Sequence, residues 1–187
     1  HRLAERLERA TALVIGPGIG REPETLALLA EIVKRSPVPL VIDADALQPE
    51  IVRAGGAPRV LTPHAGEFAR IAGATPADAT LVLKGPVTRI GSVTDLRSAP
   101  KRASKSGTTY HSFFGGPVLA RGGSGDLLAG LIGGLLAQAP REPLLAAARG
   151  VVWHGLAADA LARAHGQTAV QVTQLLDFLP AVLRCEL

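Results

Sequence analysis

Short apolar runs alternate with longer segments of helical period along the chain. Ala12 to Gly16 has the length and composition of a strand. Pro23 to Arg35 puts Leu26, Leu29, Ile32 and Val33 on one face of an amphipathic helix, with Pro in its opening turn. The same reading predicts a strand at Leu40 to Asp43, a short helix over Ala46 to Arg53, and a strand at Val60 to Leu61. A helix from Gly66 to Ala72 and a strand at Leu81 to Leu83 follow. Gly85 to Gly116, rich in Ser, Thr, Gly and Pro, predicts short antiparallel strands joined by loops. From Ser124 onward the period is helical, with helices expected over Gly125 to Gln138, Pro143 to His165 and near Thr173 to Leu183. This alternation is the sign of βαβ units around a mostly parallel sheet, an α/β fold. The C-terminal helices are expected to pack on the sheet built by the first half. No linker divides the chain, so residues 1–187 read as a single domain.

Composition narrows this picture. A chain of 187 residues with 47% hydrophobic and 19% charged residues can bury one core and is not globally disordered. Its 21 glycines and 14 prolines show no period, which predicts many tight turns and excludes a repeat architecture. The single cysteine, Cys185, can neither close an intrachain disulfide nor build a cysteine metal cluster; nothing asks for an oxidising compartment, and a cytoplasmic location is expected. The longest apolar stretch, Leu127 to Ala137, falls short of the ~20 residues a membrane span requires, so no membrane partner is expected. The chain starts at His1 without methionine and reads as a fragment truncated at its N-terminus. The net charge of +4 is spread out except at Arg97, Lys101, Arg102 and Lys105, which read as a solvated loop. One Trp, one Tyr and four Phe are too few for a base-stacking platform, so nucleic acid is not an expected partner.

The sharpest chemical feature is Gly122-Gly123-Ser124-Gly125-Asp126, immediately before an apolar helix. Glycines there let backbone N–H groups converge on an anion at the positive end of the helix. Asp126 is then placed to take a proton from a hydroxyl that attacks phosphorus. The same residues read equally well as a glycine turn with an acidic residue capping a helix. Gly130, Gly133 and Gly134 further along read as tight packing of the helix on the sheet.

Gly16-Pro17-Gly18-Ile19-Gly20 lies where a dinucleotide fold would carry its glycine fingerprint, with Asp43 beyond it. Arg21 stands in place of the third glycine and Pro17 removes a donor, so a strand-to-helix turn near a ligand is the better reading. No Walker-type phosphate loop is present. Asp43 and Asp45 end a buried-looking strand. They read either as a carboxylate pair for a hydrated cation or ligand hydroxyls, or with Asp45 capping a helix at Ala46. Thr62-Pro63-His64-Ala65-Gly66-Glu67 puts His64 in a turn, as a ligand contact, with Glu67 complementing a helix dipole. Lys84-Gly85 brings an ammonium to the same sheet edge. His111, His154 and His165 have no metal-site spacing, no metal-ligand set is identified, and Ser124 has no base partner for a hydrolase triad.

Taken together, GPGIG, VIDADAL, LTPHAGE and GGSGDLLAG resemble the ADP- or ATP-dependent NAD(P)H-hydrate dehydratase family, over nearly the whole chain from Leu13 to Leu183. The resemblance implies a ribokinase-like three-layer α/β/α sandwich and repair of hydrated NADH and NADPH. A nucleotide, ADP or ATP with Mg²⁺, would phosphorylate the ring hydroxyl of the hydrate, and loss of phosphate would restore the dihydronicotinamide. It implies that Asp126 is catalytic and that Gly20, Asp43, His64 and Asp126 contact substrate. It implies that Lys84, Gly85, Pro86, Val87 and Thr88, with Gly122, Gly123, Ser124 and Gly125, line the nucleotide. A homo-oligomer and a fused or separate NAD(P)H-hydrate epimerase are the implied protein partners. The chain departs from the family pattern at Gln48, at Ala65, at Gly115-Gly116-Pro117 and in a longer stretch between Lys84 and Gly122. A ribokinase-like kinase acting on a vitamin precursor is the alternative enzyme, and an inactive nucleotide-binding remnant the non-catalytic one.

Overall fold

The structure is a computed structural model that describes residues 7–97 and 107–184. Cys185 and the side chains of the Arg97, Lys101, Arg102 and Lys105 cluster lie outside the described residues. Among the described residues six strands form one sheet in the order β1 to β6. Strands β1 (Leu13–Ile15), β2 (Leu40–Ile42), β3 (Arg59–Leu61) and β4 (Thr80–Leu83) run parallel. Strands β5 (Thr88–Ser92) and β6 (Tyr110–Ser112) complete the sheet antiparallel, as the turn-rich middle stretch predicts.

The central strands β2, β3 and β4 are buried along their whole length and mostly apolar because both sheet faces are covered there. Leu40, Ile42, Leu61, Leu81 and Leu83 belong to a core shared with Leu29 and Val33 of α1 (Pro23–Arg35), Ile51 and Val52 of α2 (Pro49–Val52) and Ile71 of α3 (Ala65–Ile71). Val41, Val60, Val82 and Ile90 belong to a second core. There they meet Leu128, Ile132 and Leu136 of α5 (Ser124–Gln138), and Ala146, Ala147 and Val151 of α6 (Pro143–His165). Period-two alternation along β2, β3 and β4 thus divides two helix layers, giving the α/β/α sandwich.

Three local expectations are corrected. The helix expected over Ala46 to Arg53 is a 3₁₀ turn at Ala44–Ala46 followed by the single turn α2. Pro49 lacks an N–H and drives Gln48 into an extended conformation, which separates the two. An unexpected helix, α4 (Val93–Arg97), follows β5: Ser92 Oγ accepts from Asp95 N at 3.1 Å and donates to Asp95 Oδ2 at 2.6 Å, a Ser-x-x-Asp start signal present in the sequence. The last helix, α7 (Leu175–Leu183), packs on α6 rather than on the sheet; Leu175 and Leu179 join Ala157, Ala158 and Leu161 in a third core, and Trp153 Nε1 donates to the Leu179 carbonyl at 2.9 Å.

The glycines of α5 also divide. A Cβ on Gly133 would overlap Val14 of β1, so close packing explains that position. Gly130 and Gly134 face open space, and packing does not account for them.

The sheet edge that carries the site is set by Gly16, whose φ is +116° and whose Cβ would overlap the Asp43 carbonyl oxygen. Gly16→Ala is expected to cost about 2 kcal/mol or more, from left-handed strain plus this clash, and denaturant unfolding would measure it.

Candidate active site

The carboxyl ends of β2, β3 and β4 meet the amino end of α5, the region where open α/β sheets bind ligands. Asp43 follows β2 with 1% exposure, and its Oδ1 accepts from Lys84 Nζ at 2.9 Å. Lys84 follows β4, its backbone N–H donating to the Pro63 carbonyl at 2.9 Å. A Cβ on Gly125 would stand 3.2 Å from Lys84 Nζ and 3.5 Å from Asp43 Oδ2, so the helix start lies close beside this ion pair.

His64 ends β3's extension, bridges to Lys84 and caps α3. Its Nδ1 accepts from Gly66 N at 3.0 Å and Glu67 N at 3.3 Å, which leaves Nε2 to carry the ring proton. Glu67 does more than complement the helix dipole: its Oε2 accepts from His64 N at 2.8 Å and closes a capping box. With side-chain exposure of 62%, His64 presents its ring to the cleft while its orientation is held from behind.

At the start of α5, Gly123 takes the left-handed conformation, φ +87°. Ser124 N and Leu127 N donate to the carbonyls of Arg121 and Gly123. Among the described residues the amides of Gly125 and Asp126 have no acceptor within the chain, which is the condition for an anion-binding helix end. Asp126 is exposed, and its carboxylate meets no hydrogen-bond partner among the described residues.

Asp43 and Asp45 do not form the pair considered from sequence, nor does Asp45 cap a helix at Ala46. Asp45 Oδ2 accepts from Gly20 N at 3.2 Å and Oδ1 from Arg21 Nε at 2.7 Å, tying the glycine loop after β1 to the sheet edge, while Asp43 faces Lys84. The buried strand end puts the two side chains to opposite uses. Among the described residues, no group of three His, Cys, Asp or Glu is placed to hold a metal.

A cleft of about 760 Å³ joins His64, Lys84, Gly85, Pro86 and Thr88 with Ser124 and Gly125. Of the other residues singled out, Asp43 lies behind Lys84, Gly20 is held by Asp45, and Val87, Gly122, Gly123 and Asp126 are off the cleft wall. The wall also contains Arg121 and His154, which the sequence reading did not select. Arg121 Nη2 donates to the carbonyls of Gln167 and Thr168 at 2.7 and 2.8 Å. Its position just before the glycine run was the available signal. His154 is 3% exposed and its Nε2 is buried without a partner among the described residues; only the packing of α6 against the loop before α5 reveals it. That loop sits close because a Cβ on Gly155 would overlap Phe114, and Asp159 Oδ1 accepts from Gly115 N at 3.0 Å.

A family model described as NAD(P)H-hydrate dehydratase matches residues 1–181. The bifunctional NAD(P)H-hydrate repair enzyme of Moorella thermoacetica is 40% identical over 204 aligned residues, covering 97% of this chain and 36% of that protein. The ADP-dependent (S)-NAD(P)H-hydrate dehydratase of Xanthomonas campestris is 36% identical, covering 92% of this chain and 61% of that protein. A solved structure of the Bacillus subtilis ADP/ATP-dependent NAD(P)H-hydrate dehydratase, co-crystallised with ATP/Mg²⁺, superposes with a TM-score of 0.75 at 27% identity, covering 96% of this chain and 68% of that one. The chain spans little more than a third of the bifunctional relatives. The sandwich described above is the ribokinase-like fold. No helix among the described residues is long and apolar enough to cross a membrane.

Burial lowers the His154 pKa from 6.5 to about 4. The folded state therefore resists a proton that the unfolded chain accepts, so His154 contributes stability that is present above pH 6.5 and is lost as pH falls towards 4. The loss is expected to reach about 3 kcal/mol. Unfolding curves across this range, compared with His154→Gln, would show a shallower pH dependence in the variant.

Proposed function

The chain belongs to the NAD(P)H-hydrate dehydratase family, and from that premise we propose that it dehydrates hydrated NADH and NADPH at the expense of ADP or ATP. The observation that carries this reading is the meeting of the Lys84 ammonium with the amino end of α5, where the Gly125 and Asp126 amides have no internal acceptor. Positive charge and free N–H groups converge there on a cleft whose volume suits a nucleotide-sized ligand.

Lys84, Gly85, Pro86 and Thr88 would line the nucleotide, with Ser124 and Gly125 across the cleft. His64, whose exposed ring is held by Glu67 through its backbone N–H and by an Nε2–Oε1 approach of 3.5 Å, would orient the hydrate, and Gly20 would contribute backbone to the substrate wall. Asp126 would take the proton of the ring hydroxyl while its oxygen forms a bond to the terminal phosphorus and the bond to the nucleotide breaks. Cleavage of the ring C–O bond then releases phosphate with its electron pair, and loss of a proton from the neighbouring carbon restores the double bond. The described carboxylates offer no metal cage, since Asp43 and Asp45 are both engaged in ion pairs. Mg²⁺ would enter with the nucleotide, held mainly by phosphate oxygens and water, and would neutralise phosphate charge. An epimerase acting on the same hydrates, fused or separate, is the protein partner that the bifunctional relatives' name supports.

Asp126→Asn is expected to lower NADH regeneration from hydrated NADH, nucleotide and Mg²⁺ by about 10²- to 10⁴-fold. Because Asp126 is exposed, the thermal midpoint should stay near that of the parent protein. Phosphate transfer to a vitamin alcohol without NADH regeneration would move the assignment to a kinase.

A further inference from the structure

We propose that Asp43 is a positioning residue: its buried carboxylate holds the Lys84 ammonium against the first turn of α5, so that the ammonium and the Gly125 amide together grip one phosphoryl group. This rests on the nucleotide-dependent reading above and deepens it. A carboxylate with 1% exposure is beyond the reach of a ligand in the cleft, and Lys84 is the ion-pair partner it meets. Lys84 remains 25% exposed and lines the cleft, and one of its three N–H protons is taken by Asp43. The other two are left for an anion.

Both ends of the pair are anchored through backbone. Asp43 N donates to the Ile15 carbonyl at 3.1 Å, and its own carbonyl accepts from Ala46 N at 3.2 Å. Lys84 N donates to the Pro63 carbonyl. A lysine on a flexible four-carbon stem would otherwise sample many rotamers; the ion pair selects one that ends at the helix. A Cβ on Gly125 would crowd the ammonium at 3.2 Å, so the glycine leaves it unhindered in this position. Since a buried pair is costly unless geometry is good, an exposed surface lysine would be the cheaper arrangement if charge alone were needed.

Titration of the full-length protein with ATP and Mg²⁺ by calorimetry, together with steady-state kinetics on hydrated NADH, tests this. Asp43→Asn and Lys84→Met are each expected to weaken ATP binding by about tenfold or more, with the double variant no weaker than Lys84→Met alone. The KM for the hydrate should not move. Gly125→Ala should displace the ammonium and weaken ATP binding in the parent background, and should have no further effect beside Lys84→Met. Additive losses in the double variant, or an Asp43→Asn effect confined to hydrate KM, would overturn the proposal. If Asp43→Asn fails to fold, the charge-free double variant and Gly125→Ala carry the same comparison. Coupled ATP binding without hydrate turnover would leave this proposal standing while sinking the dehydratase reading.

Discussion

A carboxylate removed from water must be paired, and the structure answers that requirement at Asp43 with Lys84. The consequence is geometric. To reach one another, the ends of β2 and β4 have to lie in register across β3, and the first turn of α5 carries a glycine where a Cβ would crowd the ammonium. Gly16 and Gly125 are the two places where the chain gives up a side chain for this purpose. One lets β1 close on the Asp43 carbonyl, and the other lets the helix start approach the ammonium.

Around that pair the sheet edge is organised by short polar ties. Asp45 pulls the Gly20 and Arg21 loop inward, and the His64–Glu67 capping box fixes the start of α3. Each tie satisfies a backbone donor at a strand or helix end, where the regular ladders stop. The His64 ring that lines the cleft is itself a structural group: Nδ1 is committed to the α3 amides, and Nε2 lies 3.5 Å from Glu67 Oε1.

The far wall of the cleft depends on α6. Gly155 admits Phe114, Asp159 receives the Gly115 amide, and Arg121 reaches the carbonyls beyond the helix end, so the loop before α5 is clamped at both ends. His154, kept uncharged by burial, lies on the same helix and lines the cleft without adding charge. Ordering of this loop is what sets the helix start, and with it the two free amides, opposite Lys84.

Much of this was legible in the chain. Unbroken Leu-Val-Ile runs, the Pro-led amphipathic α1 and the glycine run before an apolar helix specify strands, helices and a glycine-led helix start through local chemistry alone. Motif order then identified the family. Local pattern did not tell Asp43 from Asp45, two acidic residues two positions apart that look alike until the sheet turns one toward Lys84, 41 residues away, and the other toward Arg21. Nor did it mark His154 or Arg121, whose roles come from contacts with segments distant in sequence. Residue type and spacing determine which elements form and which chemistry the chain can offer; burial and partner choice are properties of the packed whole, because a charge acquires its partner only when the tertiary structure removes it from water.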